Sequence, residues 1–344
     1  MRSPNIPPLV EVIVPTYNNL ARLRKTLEAL ELQTYRDFEV FVCVDGSTDG
    51  TFEWLERAEM NFPLRVLHHP GKVNRGRNAT RNLALPYLRG RYLALIDSDL
   101  VPVPQWLDAH KRMLDRFEGW CASGGLMNFT DAPRNRWAAY YMTRGRAKYS
   151  HGQETPYQYF TTGNIALPTQ CFTELGGQDP EMRTYGGGDT EFAYRLHKAF
   201  RLPVIQNEEA AASGRMEKSL NKVWRQMEEM GALNLRHIRR KHPEFTKVYR
   251  TDLLLGRSTR ARLFQLLLSA PVCAVVNALL PISSGALQRR MIHYKVLYHL
   301  RKGYFHGAAK GLSSASEQAQ NTASPPNTTA KQGTTPQPAS NLPA

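Results

Sequence analysis

The chain has 344 residues, 42% apolar and 10% aromatic, enough to bury a sizeable core and too apolar for a disordered or fibrous protein. Its four cysteines, Cys43, Cys121, Cys171 and Cys273, form no CxxC pair, which argues against a zinc ribbon or a disulfide framework and fits a reducing cytoplasm. The formal charge of +15 is localised: residues 1–214 carry 25 Lys and Arg against 24 Asp and Glu, and residues 215–310 carry 19 against 5. A near-neutral front part and a basic rear part point to an anionic membrane surface as the partner of 215–310, with no specific nucleic acid expected.

Met1–Pro8 is short and proline-bearing and reads as no secretory signal. Val10–Val14 reads as a strand, then Pro15-Thr-Tyr-Asn-Asn19 and a helical pattern from Leu20 to about Leu32. Phe38–Val44 is a second strand, followed by Asp45-Gly-Ser-Thr-Asp-Gly50 and a short helix. Leu64–Leu67 is a third strand, Asn78–Leu88 a helix, and Tyr92–Ile96 a fourth strand. Strand and helix alternate four times in 100 residues, the pattern of an α/β domain with a mostly parallel sheet. Ligands bind beyond the carboxyl ends of such strands, where the polar motifs of this chain fall.

A helix is expected from about Pro104 to Phe117 and a strand near Cys121–Phe129; the topology of 131–158 is open. A strand and turn over Tyr159–Pro168 and helices over Thr169–Leu175 and Thr190–Phe200 follow. Leu220–His242 reads as one long basic helix, and Met291–Tyr304 as a basic aromatic helix suited to anionic headgroups. The uncharged stretch Leu263–Leu280 contains Gln265, Pro271 and Asn277, which favours a hairpin, an interfacial segment or a packing helix over a lone span. The domains expected are 1–214, catalytic; 215–312, a basic helical region in membrane contact; and 313–344, a disordered tail of Ser, Thr, Pro, Asn, Gln and Ala.

Four constellations carry chemistry. Asp97 and Asp99, at i and i+2 beyond an apolar strand, can face one hard cation if the segment is extended, although Asp-Ser-Asp with Pro102 and Pro104 behind it is also turn chemistry. Asp45 ends a buried strand and can accept from a nucleobase N–H, or can make an Asx turn. In Lys72–Asn82, Gly76 precedes a helix start beside Arg75, Arg77 and Arg81, a setting that suits a diphosphate. Three glycines precede Asp189, leaving its carboxylate at a helix start where it can take a proton from a hydroxyl or cap the helix.

Val14-Pro-Thr-Tyr-Asn18, Val44-Asp-Gly-Ser-Thr-Asp49, Asn74-Arg-Gly with Ala79-Thr-Arg-Asn82, Asp97-Ser-Asp99, Thr162-Gly-Asn-Ile-Ala166 and Gly187-Gly-Asp-Thr-Glu191 occur in this order. In order and spacing they resemble the family 2 glycosyltransferases of the GT-A fold, with a second half similar to the galactosyltransferase-type branch, over about residues 9–210. The resemblance implies an inverting, metal-dependent transfer of a hexose from a UDP-sugar to a hydroxyl of a glycan or lipid-linked glycan, in cell-surface polysaccharide synthesis at the cytoplasmic face of a membrane. It implies that Pro15, Thr16, Tyr17, Asp45, Asn74, Gly76, Arg77, Asp97, Gly163, Asn164, Gly187 and Gly188 bind the nucleotide sugar. It further implies that Asp99, helped by Asp97, ligates Mn²⁺ or Mg²⁺ and that Asp189 is the general base.

Three departures stand out against that pattern: Val44 replaces a first acid at the second strand, Gly188 replaces an acid before Asp189, and Ala210–Arg215 holds no metal-binding histidine. The alternatives are a nucleotidyltransferase, which calls for a glycine-rich loop after the first strand, and a non-catalytic basic protein of membrane surfaces.

Overall fold

The computed structural model describes residues 9–245 and 250–306; the expected disordered tail lies outside them. Nine strands form one mixed sheet: β1 (Val10–Thr16), β2 (Phe38–Val44), β3 (Leu64–His68), β4 (Tyr92–Ile96), β5 (Leu100–Pro102), β6 (Ala122–Phe129), β7 (Glu154–Thr155), β8 (Asn164–Pro168) and β9 (Val204–Gly214). Their order is β3-β2-β1-β4-β8-β6-β9-β5, with β7 on β9. The first four strands are mutually parallel. β8 runs antiparallel to both β4 and β6.

The central strands are mostly apolar because both faces are covered, Glu11 and Thr16 of β1 and Glu39 of β2 being exceptions. Successive side chains alternate: Val12, Val14, Val40, Val42, Ala94 and Ile96 meet Leu23, Leu27 and Leu30 of the helix Leu20–Glu31. Ile13, Phe41, Cys43, Leu93 and Leu95 face the other way, toward Phe172 and toward Phe192 and Leu196 of the helix Gly188–Phe200.

Register then positions the loops. Thr16 pairs with Val44, and Ile13 with Leu95, so the segments after β1, β2 and β4 leave the sheet at one edge. Ile96 pairs with Asn164 across the antiparallel ladder, which brings the chain entering β8 to the point where β4 ends.

The expected helix Leu220–His242 is two helices, Leu220–Ala232 and Asn234–Lys241, broken at Leu233 (φ −111°, ψ −74°). The break lets Asn234 donate its amide to Thr184 O (3.0 Å) and Gly186 O (2.7 Å), fastening the glycine-rich loop. The helix Leu220–Ala232 lies along Gly285–His306 over a third core that includes Trp137, Met227, Leu235, Ile292 and Leu300. Gly231 and Gly303 allow this approach, since a Cβ on either would strike a backbone carbonyl of the opposite helix.

Asp179, 5% exposed, bolts the Asn234–Lys241 helix to the sheet-bearing part of the chain: its Oδ2 accepts from His237 Nε2 (2.8 Å) and Lys241 Nζ (2.6 Å). Burial raises this carboxyl, and the Lys241 and His237 hydrogen bonds outweigh it, bringing its pKa down to about 2. A depressed acid contributes stability that is complete above its unfolded pKa, near 3.8, and lost as pH falls toward 2. Asp179→Asn is expected to cost about 2 kcal/mol in urea unfolding at pH 7, with the gap to the parent narrowing below about pH 4.

Candidate active site

The loop after β1 is fixed from the neighbouring strand. Ser47 Oγ accepts from Asn18 N (3.0 Å), and Asn18 Oδ1 accepts from Thr48 N (2.7 Å). Asp49 accepts from Leu20 N (2.9 Å) at the start of the helix Leu20–Glu31 and from Thr51 Oγ1 (2.5 Å) at the start of the short helix Thr51–Leu55, and so ties the two helix starts together. Pro15 and Thr16 are buried in the cleft wall, and Tyr17 stands 52% exposed at its mouth. Thr16 Oγ1 is buried with no hydrogen-bond partner.

Asp45, at the end of β2, accepts from Arg75 N (2.7 Å) and Gly76 N (3.1 Å). The carboxylate thus closes the Lys72–Gly76 segment over Gly46, where a Cβ would lie 2.7 Å from Asn74 N. Each oxygen retains a second lone pair. Asn74 itself is exposed, Gly76 is buried with φ +89°, and Arg77 opens the helix Arg77–Arg81.

Asp97-Ser-Asp99 is a turn rather than an extended segment: Leu100 N donates to Asp97 O (3.1 Å), and β5 begins at Leu100. Thr26 Oγ1 donates to Leu100 O (2.9 Å), and the Asn19 amide donates to Ser98 Oγ (3.3 Å), so the first helix holds the turn. Both acids reach the same cleft through the turn instead of through strand alternation. Asp97 Oδ1 accepts from Arg81 Nη2 (2.6 Å), and Arg77 Nη1 lies 3.5 Å from Oδ2. Burial raises Asp97, but Arg77 and Arg81 hold it below the usual carboxylate range. Asp99 goes the other way, raised by burial and then by the charge of Asp97.

Asp189, the second residue of the helix Gly188–Phe200, accepts from Thr162 Oγ1 (2.6 Å) and Thr161 Oγ1 (3.1 Å). The positive charge of Arg77 acts on Asp97, Asp189 and Asp99 together. Gly163 lies against Asp97, where a Cβ would come 3.2 Å from Oδ2, and its carbonyl accepts from Asp97 N (3.1 Å).

Three of the expected ligand contacts have internal roles instead. Asn164 is wholly buried: its amide donates to Leu126 O and Ala210 O and its Oδ1 accepts from Trp106 Nε1, while His110, whose pKa burial lowers to about 3, adds its Nε2. Gly187 (φ +87°) gives room to Ile238 and Met182, and Gly188 gives room to Asn78.

Arg22 and Lys218 enter the site without a motif to announce them. Arg22 Nη1 lies 3.8 Å from Asp99 Oδ2 and is also paired with Glu217. Lys218 Nζ sits 3.9 Å above the Tyr185 ring, and burial, then Arg77, lower its pKa to about 8. Both cations are recruited by tertiary structure from the first helix and from the segment after β9, so local sequence gave no signal.

Among the described residues Asp99 has no side-chain donor nearer than Arg22, which leaves its oxygens open to a metal, whereas those of Asp97 face guanidinium groups. Two hard carboxylates suit Mg²⁺ or Mn²⁺, ions that commonly complete their shell with substrate phosphates and water. A second cluster, Asp179, Glu181 and His237, has metal-like spacing, but the Lys241 ammonium already lies 2.6 Å from Asp179 Oδ2. It is an ion-pair junction between helices.

The site is an acid-lined cleft of about 270 Å³ at the carboxyl edge of a parallel sheet, the arrangement of the GT-A class. Residues 11–175 match the model of glycosyl transferase family 2, and the chain carries a domain of that family, as the ordered motifs imply.

It is 27% identical over 240 residues to validoxylamine A glucosyltransferase of Streptomyces hygroscopicus subsp. jinggangensis, covering 59% of this chain and 54% of that protein. It is 23% identical over 222 residues to chondroitin synthase of Escherichia coli, covering 55% and 32%. The chain thus spans about half or less of the length of these curated relatives. Among solved structures, a mannosyltransferase of Pyrobaculum calidifontis in complex with GDP-Man and Mn²⁺ superposes with a TM-score of 0.58 at 18% identity, over 88% of each chain. Residues 1–349 of TarS from S. aureus do so at 0.50 and 16%, over 87% and 91%. The GT-A fold expected from the motifs is borne out.

Removing the guanidinium that anchors the acidic turn leaves Asp97 with only the 57%-exposed Arg77. Arg81→Met is expected to lower stability by about 3 kcal/mol in denaturant unfolding, because breaking a buried pair strands the remaining charge.

Proposed function

We propose that the chain is an inverting, metal-dependent glycosyltransferase that moves a hexose from a UDP-sugar to a hydroxyl of a glycan or lipid-linked glycan, in cell-surface polysaccharide synthesis at the cytoplasmic face of a membrane. The observation that carries the reading is the convergence of Asp97, Asp99 and Asp189, from two segments far apart in the chain, on the Arg77 guanidinium, beside a cleft that Asp45 also lines. On this reading residues 1–214 are the catalytic domain, and 215–312 are a basic helical region on the membrane. Glycan synthesis accords with the names of the relatives, one of which is a UDP-Glc-dependent glucosyltransferase from Escherichia coli acting on a diphosphoundecaprenol-linked sugar, 33% identical over 91 residues.

The base of the nucleotide lies between Tyr17 and the floor made by Pro15, Thr16 and Asp45, with a free Asp45 lone pair taking a ring N–H. Thr16 Oγ1, buried and unpaired, supplies a further contact. Arg77, Arg22 and Lys218 face the diphosphate, each contributing a charge-assisted contact. Asp99, with Asp97 beside it, would hold Mn²⁺ or Mg²⁺, which would supply positive charge against the negative charge that develops on the leaving nucleoside diphosphate.

Asp189 accepts the proton of the acceptor hydroxyl as its oxygen bonds to the anomeric carbon and the bond from that carbon to the diphosphate oxygen breaks, inverting the configuration. Thr161 and Thr162 fix the carboxylate for that transfer. A nucleotidyltransferase is disfavoured by the β1 loop, Pro15–Asn19, which contains no glycine.

Asp189→Asn is expected to lower kcat about 10²–10⁴-fold while leaving donor binding in place. Asp99→Ala should abolish the Mn²⁺-dependent thermal shift produced by UDP-sugars. Radiometric transfer and thermal-shift series with UDP- and GDP-sugars check both, and full activity in the two variants sinks the assignment.

A further inference from the structure

The surface formed by residues 259–290 differs from the rest of the molecule. From Leu263 to Gln288 there is no Asp, Glu, Lys or Arg. The segment folds as Thr259–Leu267 and Ala270–Ile282, bent by 45°, and no single helix among the described residues is long and apolar enough to cross a membrane. Leu268 and Leu280 point inward and join the third core. Leu263, Leu266, Leu267, Val275, Ile282 and Leu287 are between 55% and 82% exposed. Scattered apolar side chains are ordinary on a surface; six large aliphatic ones with no charge among them mark a binding face.

Its rim is cationic. Arg257, Arg260, Arg262, Arg289 and Arg290 are exposed, and residues 253–306 include no acidic residue. None of the five has a carboxylate partner among the described residues.

Composition and charge choose the occupant. Residues 307–344 contain only two large apolar side chains, Leu312 and Leu342, too few to cover the face. A second copy packed face to face would bring two arginine rims together with no carboxylate between them. An anionic bilayer satisfies both the apolar centre and the rim.

We propose that this bent hairpin inserts into the interfacial layer of an anionic bilayer as a monotopic anchor. It lies in the surface rather than spanning it, because its inner side is fastened to the helix Gly285–His306: Tyr294 Oη donates to Leu267 O (3.0 Å), and Lys295 Nζ donates to Asn277 Oδ1. The anchor adjoins a second, open cleft of about 610 Å³. Arg136 Nη2 donates to Pro281 O (2.9 Å) at the hairpin's end and lines that cleft with Arg134, Arg215 and Lys218, four cations against the two acids Asp131 and Glu217, the latter paired with Arg215 (2.9 Å). The phosphate of a lipid-linked acceptor lying in the bilayer therefore meets these cations next to the donor site. That last step rests on the transferase reading; the insertion does not.

The test uses the full chain with extruded vesicles of phosphatidylcholine containing about 30 mol% phosphatidylglycerol, an anionic surface able to attract the rim. The parent is expected to co-sediment. The double variant L266D/V275D should partition at least about tenfold more weakly, and R260Q/R289Q/R290Q should lose its preference for anionic over pure phosphatidylcholine vesicles. Unchanged thermal melting of the variants shows that folding is intact.

The proposal is overturned if the parent stays in the supernatant or if L266D/V275D partitions like the parent. It is also overturned if light scattering shows a lipid-free dimer that L266D/V275D converts to monomer, which assigns the face to a second copy. Donor hydrolysis in lipid-free buffer is read separately: a chain that binds vesicles but hydrolyses no nucleotide sugar upholds the anchor and sinks the transferase reading.

Discussion

The site depends on one buried guanidinium. Arg81 is 1% exposed, and a charge so placed is held by its paired carboxylate and by the hydrogen bonds of its two Nη groups, its Nε having no partner among the described residues. It donates to Asp97 Oδ1, which sets the acidic turn after β4, and to Gln178 Oε1 (3.1 Å) in the loop before the glycine-rich segment. Asn82 completes the junction, donating to Gln178 O (2.6 Å) and accepting from Gln178 N (2.9 Å). Gln178 Nε2 in turn lies 3.5 Å from Asp189 Oδ1. The two acids that the proposed chemistry needs, one beside the leaving group and one beside the nucleophile, are spaced by one side chain and its partners.

Around that anchor the charges are deliberately unsettled. Asp99 is raised because burial and Asp97 both oppose its ionisation, and Lys218 is lowered because burial and Arg77 oppose its protonation. A metal-bound diphosphate would add to each what its present partners do not outweigh: positive charge beside Asp99 and negative charge beside Lys218. If Arg22 turned toward a phosphate, Glu217 would keep Arg215 (2.9 Å). A single ligand would thus relieve both strains, favouring the loaded cleft over the empty one.

How much of this was legible in the sequence follows from which contacts are local. β2 and β4 have the bounds read from their apolar runs, because strands covered on both faces leave no polar residue to blur their ends. For Asp97–Asp99 the sequence leaves an extended segment and a turn both open, since a turn closed by Leu100 N and held by Thr26 from another helix leaves no periodic trace. Leu220–His242 read as one helix because the break at Leu233 is imposed by Asn234 reaching a loop some 50 residues earlier, to which helical periodicity is blind. Asn164 is a ligand contact only by the resemblance of the Thr162–Ala166 motif; the sheet register places it at Ile96, where its side chain is wholly buried. Arg22 and Lys218 belong to no motif, and only folding brings them to Asp99.

The basic helical region is therefore no appendage to the catalytic sheet. Glu191, fully buried in the helix that carries Asp189, pairs with Arg195 (2.8 Å), His242 (3.0 Å) and Lys241 (3.1 Å), the last two from the C-terminal side. Burial raises this carboxyl and its cations more than offset that, so the junction stays charged and rigid. Asn234 holds the loop before Asp189, and Lys218 reaches into the cleft from the same region. Among the described residues, the Leu263–Leu287 hairpin is fastened to the helix Gly285–His306, which shares a core with Leu220–Ala232, so the orientation of the hairpin is coupled to that of the cleft. For an acceptor confined to a bilayer, that rigidity replaces a three-dimensional search with a fixed approach, and places the burden of specificity on the basic cleft beside Arg136.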